Sequence, residues 1–197
     1  MEDLRTKISD AAQDLFLKDG IDGVSMRKVA ERVGVTAPAI YRYFRDKDEL
    51  LAEIIASGLR MLEDYLKPAL EADDPLERLH RLIDNYLDFA LERPKYFDFA
   101  FLVPGRDIGG ISEELKRHNW TTFRMSVEQV AMCIERGVFR RDDPIQMSIL
   151  IWATVHGLVI LYRTQRFGPN EQQFRQTYRE AVDRLLDALK PVAVRTP

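Results

Sequence analysis

The chain has 197 residues, a formal net charge of −3, and a composition that is 46% hydrophobic and 31% charged. These values are typical of a soluble globular protein and exclude a uniformly basic nucleic-acid coat protein, so any DNA-binding surface must be local. The single cysteine, Cys133, excludes a disulfide within the chain and favours a reducing compartment.

Helical periodicity begins close to the N-terminus. Apolar residues from Leu4 to Phe16 recur at helical spacing, and Gly20 stands where a helix C-cap residue is expected. Charged residues interrupt this apolar pattern, so we expect no signal peptide. Ser25 then predicts the start of a second, short helix, "MRKVAERV", which Gly34 closes.

A third and a fourth helix are predicted to follow directly. Thr36 is expected to cap the third helix, with its side-chain oxygen accepting a hydrogen bond from the amide of Ala39. Asp46, with Glu49 three residues later, forms an aspartate version of the capping box. This pair predicts a longer helix that runs to about Tyr65.

The rest of the chain keeps the helical period between breaks at "ADDP", "ERP", "VPGRDIGG", "RDDP" and "RFGPN". One long helix is expected from about Ile111 to Arg136, and no stretch shows the alternation of a strand. We therefore predict an all-α protein in which a three-helix N-terminal module is joined by the long fourth helix to a C-terminal bundle. The predicted domains are residues 1–50 and 51–197.

The apolar run "MSILIWATVHGLVILY" raises the question of a membrane span. It is shorter than the ~20 residues that a spanning helix needs, and it contains Ser148, Thr154 and His156. A helix that is apolar on nearly every side is better interpreted as buried within protein. We therefore expect no membrane association and a cytoplasmic location.

The second and third helices, joined at Gly34, have the proportions of a helix-turn-helix. With Ile40 and Phe44 set inward at about 100° per residue, small residues face outward and tyrosines lie on both flanks. The residues so placed are Pro38, Ala39, Tyr41, Arg42 and Tyr43. This shape suits a DNA major groove, since small residues let the helix approach base edges while phenol hydroxyls reach phosphates. Either tyrosine taken alone is also explained by packing.

Positive charge is concentrated in the same segment. Residues 25–47 contain six Lys or Arg against two acidic residues, a balance of +4 in a chain of −3. Arg27, Lys28 and Lys47 lie in first turns of helices, where a cation opposes the helix macrodipole by ~0.3–1 kcal/mol unless an anion is bound. These placements predict phosphate-binding sites at helix N-termini.

Residues 23–54, "GVSMRKVAERVGVTAPAIYRYFRDKDELLAEI", resemble the DNA-binding module of the TetR family of transcriptional regulators. The shared pattern is a helix cap, an Ala in the second helix, a Val-Gly-Val turn, and Tyr-x-x-Phe followed by Lys. The resemblance implies that Ser25 and Arg27 contact phosphate. It also implies that the residues at or beside DNA are Thr36, Ala37, Pro38, Ala39, Tyr41, Arg42, Tyr43 and Lys47. Many members have Lys or Gly where this chain has "APA", so base reading is expected to depend on methyl contacts and Arg42.

The resemblance further implies that the C-terminal bundle dimerises and binds a ligand. The segment "WATVHG" places Trp152 and His156 four residues apart on one helical face, and Gly157 permits close approach by another element. It is similar to the Trp-x-x-x-His-Gly signature of one C-terminal subclass of the family. Two interpretations stay open: a core tryptophan hydrogen-bonded to a satisfied histidine, or a pair that lines a ligand site.

Aromatic residues concentrate in the middle of the bundle. Most are expected in the core, and some are expected to line an apolar pocket between helices. The candidate ligand-binding residues are Phe89, Phe97, Trp120, Phe123, Trp152 and His156. The widely spaced histidines and the single cysteine predict no metal site, and no cofactor is expected.

The last helix presents an apolar stripe that a single domain could bury or a second copy could cover. Beside the apolar helix of Trp152, a four-helix dimer interface is the economical interpretation, and a two-fold dimer would read a palindromic site. The candidate dimerisation residues are Gly157, Phe174, Tyr178, Ala181, Leu185 and Leu189.

The sequence carries none of the common catalytic motifs. It has no GxxxxGK[ST] and no GxSxG, and "PGRDIGG" lacks the GxGxxG spacing. We therefore predict a non-enzymatic, ligand-responsive transcriptional regulator, a repressor that binds a palindromic operator as a homodimer and is released by a small, largely apolar molecule. The alternative is a helical carrier of apolar small molecules whose basic N-terminal patch is incidental.

Overall fold

A computed structural model describes residues 3–101 and 113–191, together with their side chains except those of residues 99 and 113–120. Helices account for all regular structure in these ranges, which confirms the predicted all-α class. Short 3-10 helices cover Ile21–Gly23 and Lys67–Glu71. The α-helices are α1 (Leu4–Asp19), α2 (Met26–Val33), α3 (Ala37–Ile40), α4 (Lys47–Leu66), α5 (Pro75–Glu92), α6 (Pro94–Phe101), α7 (Glu113–Glu135), α8 (Pro144–Arg163) and α9 (Glu171–Ala188).

Local sequence fixes the ends of α2 and the start of α4. Ser25 Oγ accepts a hydrogen bond from a backbone amide of the first turn of α2 at 3.3 Å. Gly34 ends α2 in the left-handed conformation, at φ 78°, which glycine adopts without strain. Asp46 Oδ1 accepts from the amide of Glu49 at 2.8 Å and caps α4. These three predicted boundaries are confirmed.

The side chain of Thr36 does not cap α3, so that prediction is wrong. Thr36 occupies the N-cap position, but the amide of Ala39 donates to the Thr36 backbone carbonyl oxygen at 2.9 Å. Because α3 is a single turn of four residues, its backbone turn already satisfies this amide. Thr36 is exposed, and its hydroxyl is left at the surface of the first unit.

The described helices form two compact units, each with its own core. One unit lies within Met1–Glu63 and Glu92–Trp120, and the other within Asp64–Leu91 and Thr121–Pro197. The first unit therefore includes α6 and most of α4, which the predicted division after residue 50 assigns to the C-terminal domain.

Tyr96 attaches α6 to the first unit. Its hydroxyl donates to Gln13 Oε1 at 3.1 Å, and its ring centroid lies 6.0 Å from that of Phe16. A Cβ added at Gly58 would lie 3.1 Å from Tyr96 Cδ1, so the glycine lets α4 approach α6 closely. Sequence patterns along one helix at a time do not reveal such contacts, and the division after residue 50 stays a prediction about function.

The core of the first unit determines which side of the helix-turn-helix remains at the surface. Ile40 and Phe44 are fully buried, as predicted. Complete burial of a side chain of this size stabilises the fold by about 1.5–3 kcal/mol. Met26, Val29 and Ala30 bury the inner face of α2. The opposite sides of α2 and α3 are left for contacts outside the chain.

The apolar stripe of α9 is used by the core of the second unit. Phe174 stacks on Tyr162 with ring centroids 4.2 Å apart, and Tyr178 Oη donates to the Ile83 carbonyl oxygen at 3.1 Å. Phe174, Tyr178 and Leu189 are each at most 1% exposed. A single chain already buries these three residues, which is one of the two alternatives that the stripe left open, and their part in a dimer surface stays a prediction. The candidates Ala181 and Leu185 are half-buried.

One side of α8 is buried and the other side is apolar and exposed. The sequence had predicted a helix surrounded by protein, but only the side formed by Met147, Ile151, Val155 and Val159 is buried. By length and composition α8 would also suit a membrane span. Only 28% of its apolar window is buried, whereas the core helix of a soluble protein is mostly buried. The large apolar side chains of the opposite side are 41–47% exposed: Ile145, Ile149, Leu150, Trp152 and Leu161.

Candidate DNA-binding surface

The outer surface of the helix-turn-helix consists of α3 and the turn that follows it. Pro38 and Arg42 are exposed, as predicted, and Tyr41 is 54% exposed. Ala39 and Tyr43 are half-buried at the edges of this surface. A small residue at the centre and aromatic hydroxyls beside it are suited to approach base edges and phosphates together.

Three cations of the helix-turn-helix have no partner among the described residues. Arg27 and Lys28 are exposed in the first turn of α2, and Arg42 is exposed after α3. None of the three makes a side-chain hydrogen bond or ion pair with a residue of the described ranges. Their charges are therefore available to an external anion.

Two other arginines of the segment are neutralised inside the chain. Arg32 pairs with Asp14 of α1 at 2.8 Å, and Arg45 pairs with Asp46 at 2.8 Å. The hydrogen bond from Arg45 lowers the pKa of the Asp46 carboxyl, which therefore stays ionised as the cap of α4. The sequence-based charge balance thus overstates the charge that a ligand meets, and Arg27, Lys28 and Arg42 provide most of it.

Lys47, which is predicted to contact phosphate, also makes a hydrogen bond within the chain. Its Nζ donates to the carbonyl oxygen of Ile21 at 3.1 Å, which ties the start of α4 to the 3-10 turn between α1 and α2. A carbonyl oxygen does not neutralise the ammonium, and two further donors of that group remain. Lys47 can therefore hold this turn and still approach a phosphate.

Comparison with known proteins identifies the family. Residues 8–54 match the family of bacterial regulatory proteins of the tetR type, and residues 79–189 match the tetracyclin repressor-like C-terminal domain. The chain belongs to the TetR family of transcriptional regulators. This confirms the resemblance seen in the sequence and the prediction that the protein is not an enzyme.

Individual relatives are similar to this TetR-family protein over most of its length. It is 35% identical over 150 residues to the HTH-type transcriptional regulator SrpR of Pseudomonas putida, covering 75% of this chain and 67% of SrpR. It is 24% identical over 168 residues to the uncharacterised HTH-type regulator YobS of Bacillus subtilis strain 168, covering 83% and 81% of the two chains. The crystal structure of the TetR-family regulator PfmR of Thermus thermophilus shares the fold, with a TM-score of 0.67, 23% identity, and coverage of 93% and 99%.

In the second unit of this TetR-family regulator, Tyr86, Trp152 and His156 form a linked cluster. Tyr86 Oη lies 2.7 Å from His156 Nδ1, and the Trp152 ring centroid is 5.8 Å from that of His156. Burial raises the pKa of Tyr86, and a hydrogen bond from Trp152 opposes this effect. Burial also lowers the pKa of His156, so the imidazole is neutral and its Nδ1 shares a hydrogen bond with the Tyr86 hydroxyl. His156 is thus satisfied by Tyr86, a partner that the spacing of "WATVHG" could not indicate.

The other candidate ligand-binding residues are distributed over both units. Phe123 lies against Trp152 with ring centroids 6.1 Å apart, so three candidates, counting His156, lie together in the second unit. Phe89 is fully buried in the second unit and Phe97 in the first. The side chain of Trp120 lies outside the described residues, and its candidate role stays a prediction.

Arg5 is a further residue of the DNA-binding module that is not among the candidates predicted from the sequence. Its guanidinium contacts the turn after α3 from the first turn of α1, more than thirty residues away in the chain. The available signal was local: α1 has no acidic residue in its first turn and places a cation there instead. Like Arg27 and Lys28 in α2, this cation opposes the macrodipole of its helix.

Proposed function

We propose that this TetR-family regulator is a repressor that binds a palindromic operator as a homodimer and is released by a small, largely apolar molecule. The observation that carries the DNA contact is that Arg27, Lys28 and Arg42 are exposed and have no partner in the described ranges, in the same helix-turn-helix as exposed Pro38 and Tyr41. Cations of this kind, on a surface that a groove can accommodate, favour a polyanionic duplex.

The proposed DNA contacts are of two kinds, those to phosphates and those that read the bases. We assign Ser25, Arg27, Lys28 and Lys47 to phosphates, because they lie at or next to helix N-termini where backbone amides also point outward. We assign sequence reading to α3 and the turn after it. The residues proposed to lie at or beside the bases are Thr36, Ala37, Pro38, Ala39, Tyr41, Arg42 and Tyr43.

The exposed apolar side of α8 supports the homodimer. Monomeric soluble proteins rarely expose a large continuous apolar patch, and a second copy of the same face would cover it under two-fold symmetry. A Cβ at Gly157 would meet no other heavy atom of the described residues within 4 Å, so the backbone of α8 is open to close approach there. Half-buried Ala181 and Leu185 of α9 remain candidates beside α8.

For the effector, we propose that residues 51–197 provide the binding and dimerisation functions and residues 1–50 the DNA contact. Phe123, Trp152 and His156 are the candidates whose mutual contacts support an apolar site with a polar group in it. Phe89, Phe97 and Trp120 remain candidates from the sequence. We place the protein in the cytoplasm, where a bacterial regulator meets its operator.

Selection of bound sequences from random double-stranded DNA tests this function with the purified protein. A palindromic motif should be enriched, with half-sites about one helical turn, ~34 Å, apart. Binding should weaken steeply between ~50 and ~200 mM salt because counterions are released on binding. An unenriched pool together with weak, sequence-independent binding would favour the carrier hypothesis instead.

A further inference from the structure

Arg5 contacts two residues at the end of the turn that follows α3 and a third residue on α4. Its Nη1 donates to the Tyr43 carbonyl oxygen at 2.8 Å. Its guanidinium carbon lies 4.3 Å from the centroid of the Phe44 ring. Its Nη2 lies 3.7 Å from Glu53 Oε2 of α4. One side chain of α1 therefore contacts the turn after α3 and also α4.

Few backbone hydrogen bonds hold the turn after α3. α3 ends at Ile40, and residues 41–43 form a turn without the repeating hydrogen bonds of a longer helix. The amides of Tyr43 and Phe44 donate back to the Ile40 carbonyl oxygen, at 2.9 and 3.0 Å. The carbonyl oxygen of Tyr43 accepts the hydrogen bond from Arg5. Arg5 thus fixes the outgoing side of the turn that carries Tyr41, Arg42 and Tyr43.

Glu53 in turn holds Arg5. Glu53 is only 23% exposed, and its second carboxylate oxygen lies 3.1 Å from Arg60 Nη2. Arginine suits this position because a planar guanidinium can donate to two acceptors in its plane while one face lies on an aromatic ring. A lysine ammonium has neither the planar face nor the reach to keep all three contacts at once.

We propose that Arg5 is a positioning residue for DNA recognition, which holds the turn of Tyr41 to Tyr43 in the orientation that binds DNA. The inference rests on the proposed DNA-binding function. Arg5 acts through Tyr43 in this proposal, because its Nη1 donates to the Tyr43 carbonyl oxygen and one face of its guanidinium lies over the Phe44 ring.

A double-mutant cycle between Arg5→Gln and Tyr43→Phe tests this inference on the full chain, with the operator sequence obtained by selection. Arg5→Gln should weaken operator binding about tenfold or more, the equivalent of one charge-assisted hydrogen bond. If Arg5 acts through Tyr43, the double variant should lose little more affinity than Arg5→Gln alone. Arg60→Gln, which removes a partner of Glu53 but no contact to the turn, is the control and should bind as the wild type does.

Two outcomes would overturn the inference. One is unchanged affinity of Arg5→Gln for the operator. The other is an additive loss with Tyr43→Phe and a salt slope lowered by about 0.9, which would make Arg5 an independent phosphate contact. If circular dichroism shows Arg5→Gln to be unfolded, Arg5→Lys takes its place in the same cycle. Failure of the wild type to select any sequence would instead contradict the proposed function.

Discussion

Tyr86 Oη lies 2.7 Å from His156 Nδ1, and this contact joins α5 to α8 inside the second unit. The tyrosine proton stays on oxygen because burial raises the pKa of Tyr86, and the imidazole stays neutral because burial lowers the pKa of His156. The two side chains therefore form a hydrogen bond between neutral groups. Protonation of His156 places a cation on a half-buried part of α8.

The first prediction concerns the stability of the protein at acidic pH. The folded pKa of His156 lies below its unfolded value near 6.5, so the unfolded chain binds this proton first as the pH falls. The contribution of His156 to the free energy of unfolding is fully present above the unfolded pKa and declines as the pH falls towards the lower, folded pKa. In urea unfolding at about pH 7.5 and about pH 5.5, His156→Asn should lose less stability than the wild type, since asparagine keeps an acceptor but does not titrate. An equal decline in both proteins would contradict the prediction.

The second prediction concerns phosphate contacts. Replacing both Arg27 and Lys28 by Gln should weaken binding to specific and random DNA alike. The slope of log affinity against log salt should fall by about 1.8, because each lost phosphate contact releases about 0.9 fewer counterions. Arg81→Gln, which neutralises an exposed cation of α5, is the control and should leave the slope unchanged. Loss of affinity on the specific site alone would assign base contacts to this pair.

The third prediction concerns base reading. Arg42→Ala should weaken binding to the selected operator by about 1–3 kcal/mol and relax the preference at one position of each half-site. Binding to random DNA should change much less. Competition titrations with operator and random duplexes measure both effects. Equal losses on the two duplexes would show that Arg42 contacts the backbone.

The fourth prediction concerns the apolar side of α8. Leu150→Glu should convert the dimer into monomers, because a carboxylate buried without a partner costs more than the interface can offset. Sedimentation velocity measures the change, and operator affinity should fall with it. Leu17→Glu is the matched control, since Leu17 is 40% exposed on α1 and Leu150 is 47% exposed on α8. A monomeric wild type, or partition of the wild type into detergent or vesicles, would reject the dimer interpretation of this face.

The fifth prediction concerns the effector. An apolar molecule that binds the protein and releases it from DNA must bind more weakly when operator is saturating, since the coupling is reciprocal. A 100-fold loss of DNA affinity corresponds to ~2.7 kcal/mol of coupling. Calorimetric titration with and without operator measures it. Equal ligand affinity under both conditions would show that the site does not control DNA binding.

Structural features with a local cause could be predicted from the sequence. Ser25, Gly34 and Asp46 define helix ends within a few residues, and Ile40 with Phe44 identifies the buried side of α3. These features depend on backbone conformation and helical period, which a sequence displays directly.

Features that depend on distant partners were missed or misassigned. The apolar stripe that contains Phe174 and Tyr178 is the same pattern whether the chain or a second copy covers it, and the structure assigns these two to the chain. His156 is satisfied by Tyr86, seventy residues away, and Arg5 reaches Tyr43 across thirty-eight residues. Periodicity along one helix contains no information about such partners.

The bond from Lys47 to Ile21 limits how α4 can move. Lys47 fastens the first turn of α4 to the segment between α1 and α2, and Arg5 fastens Glu53 one and a half turns further along the same helix. These two attachments leave little freedom between α4 and the helix-turn-helix over that length. Any rotation imposed on the C-terminal end of α4 would therefore turn α1, α2 and α3 together as one rigid body.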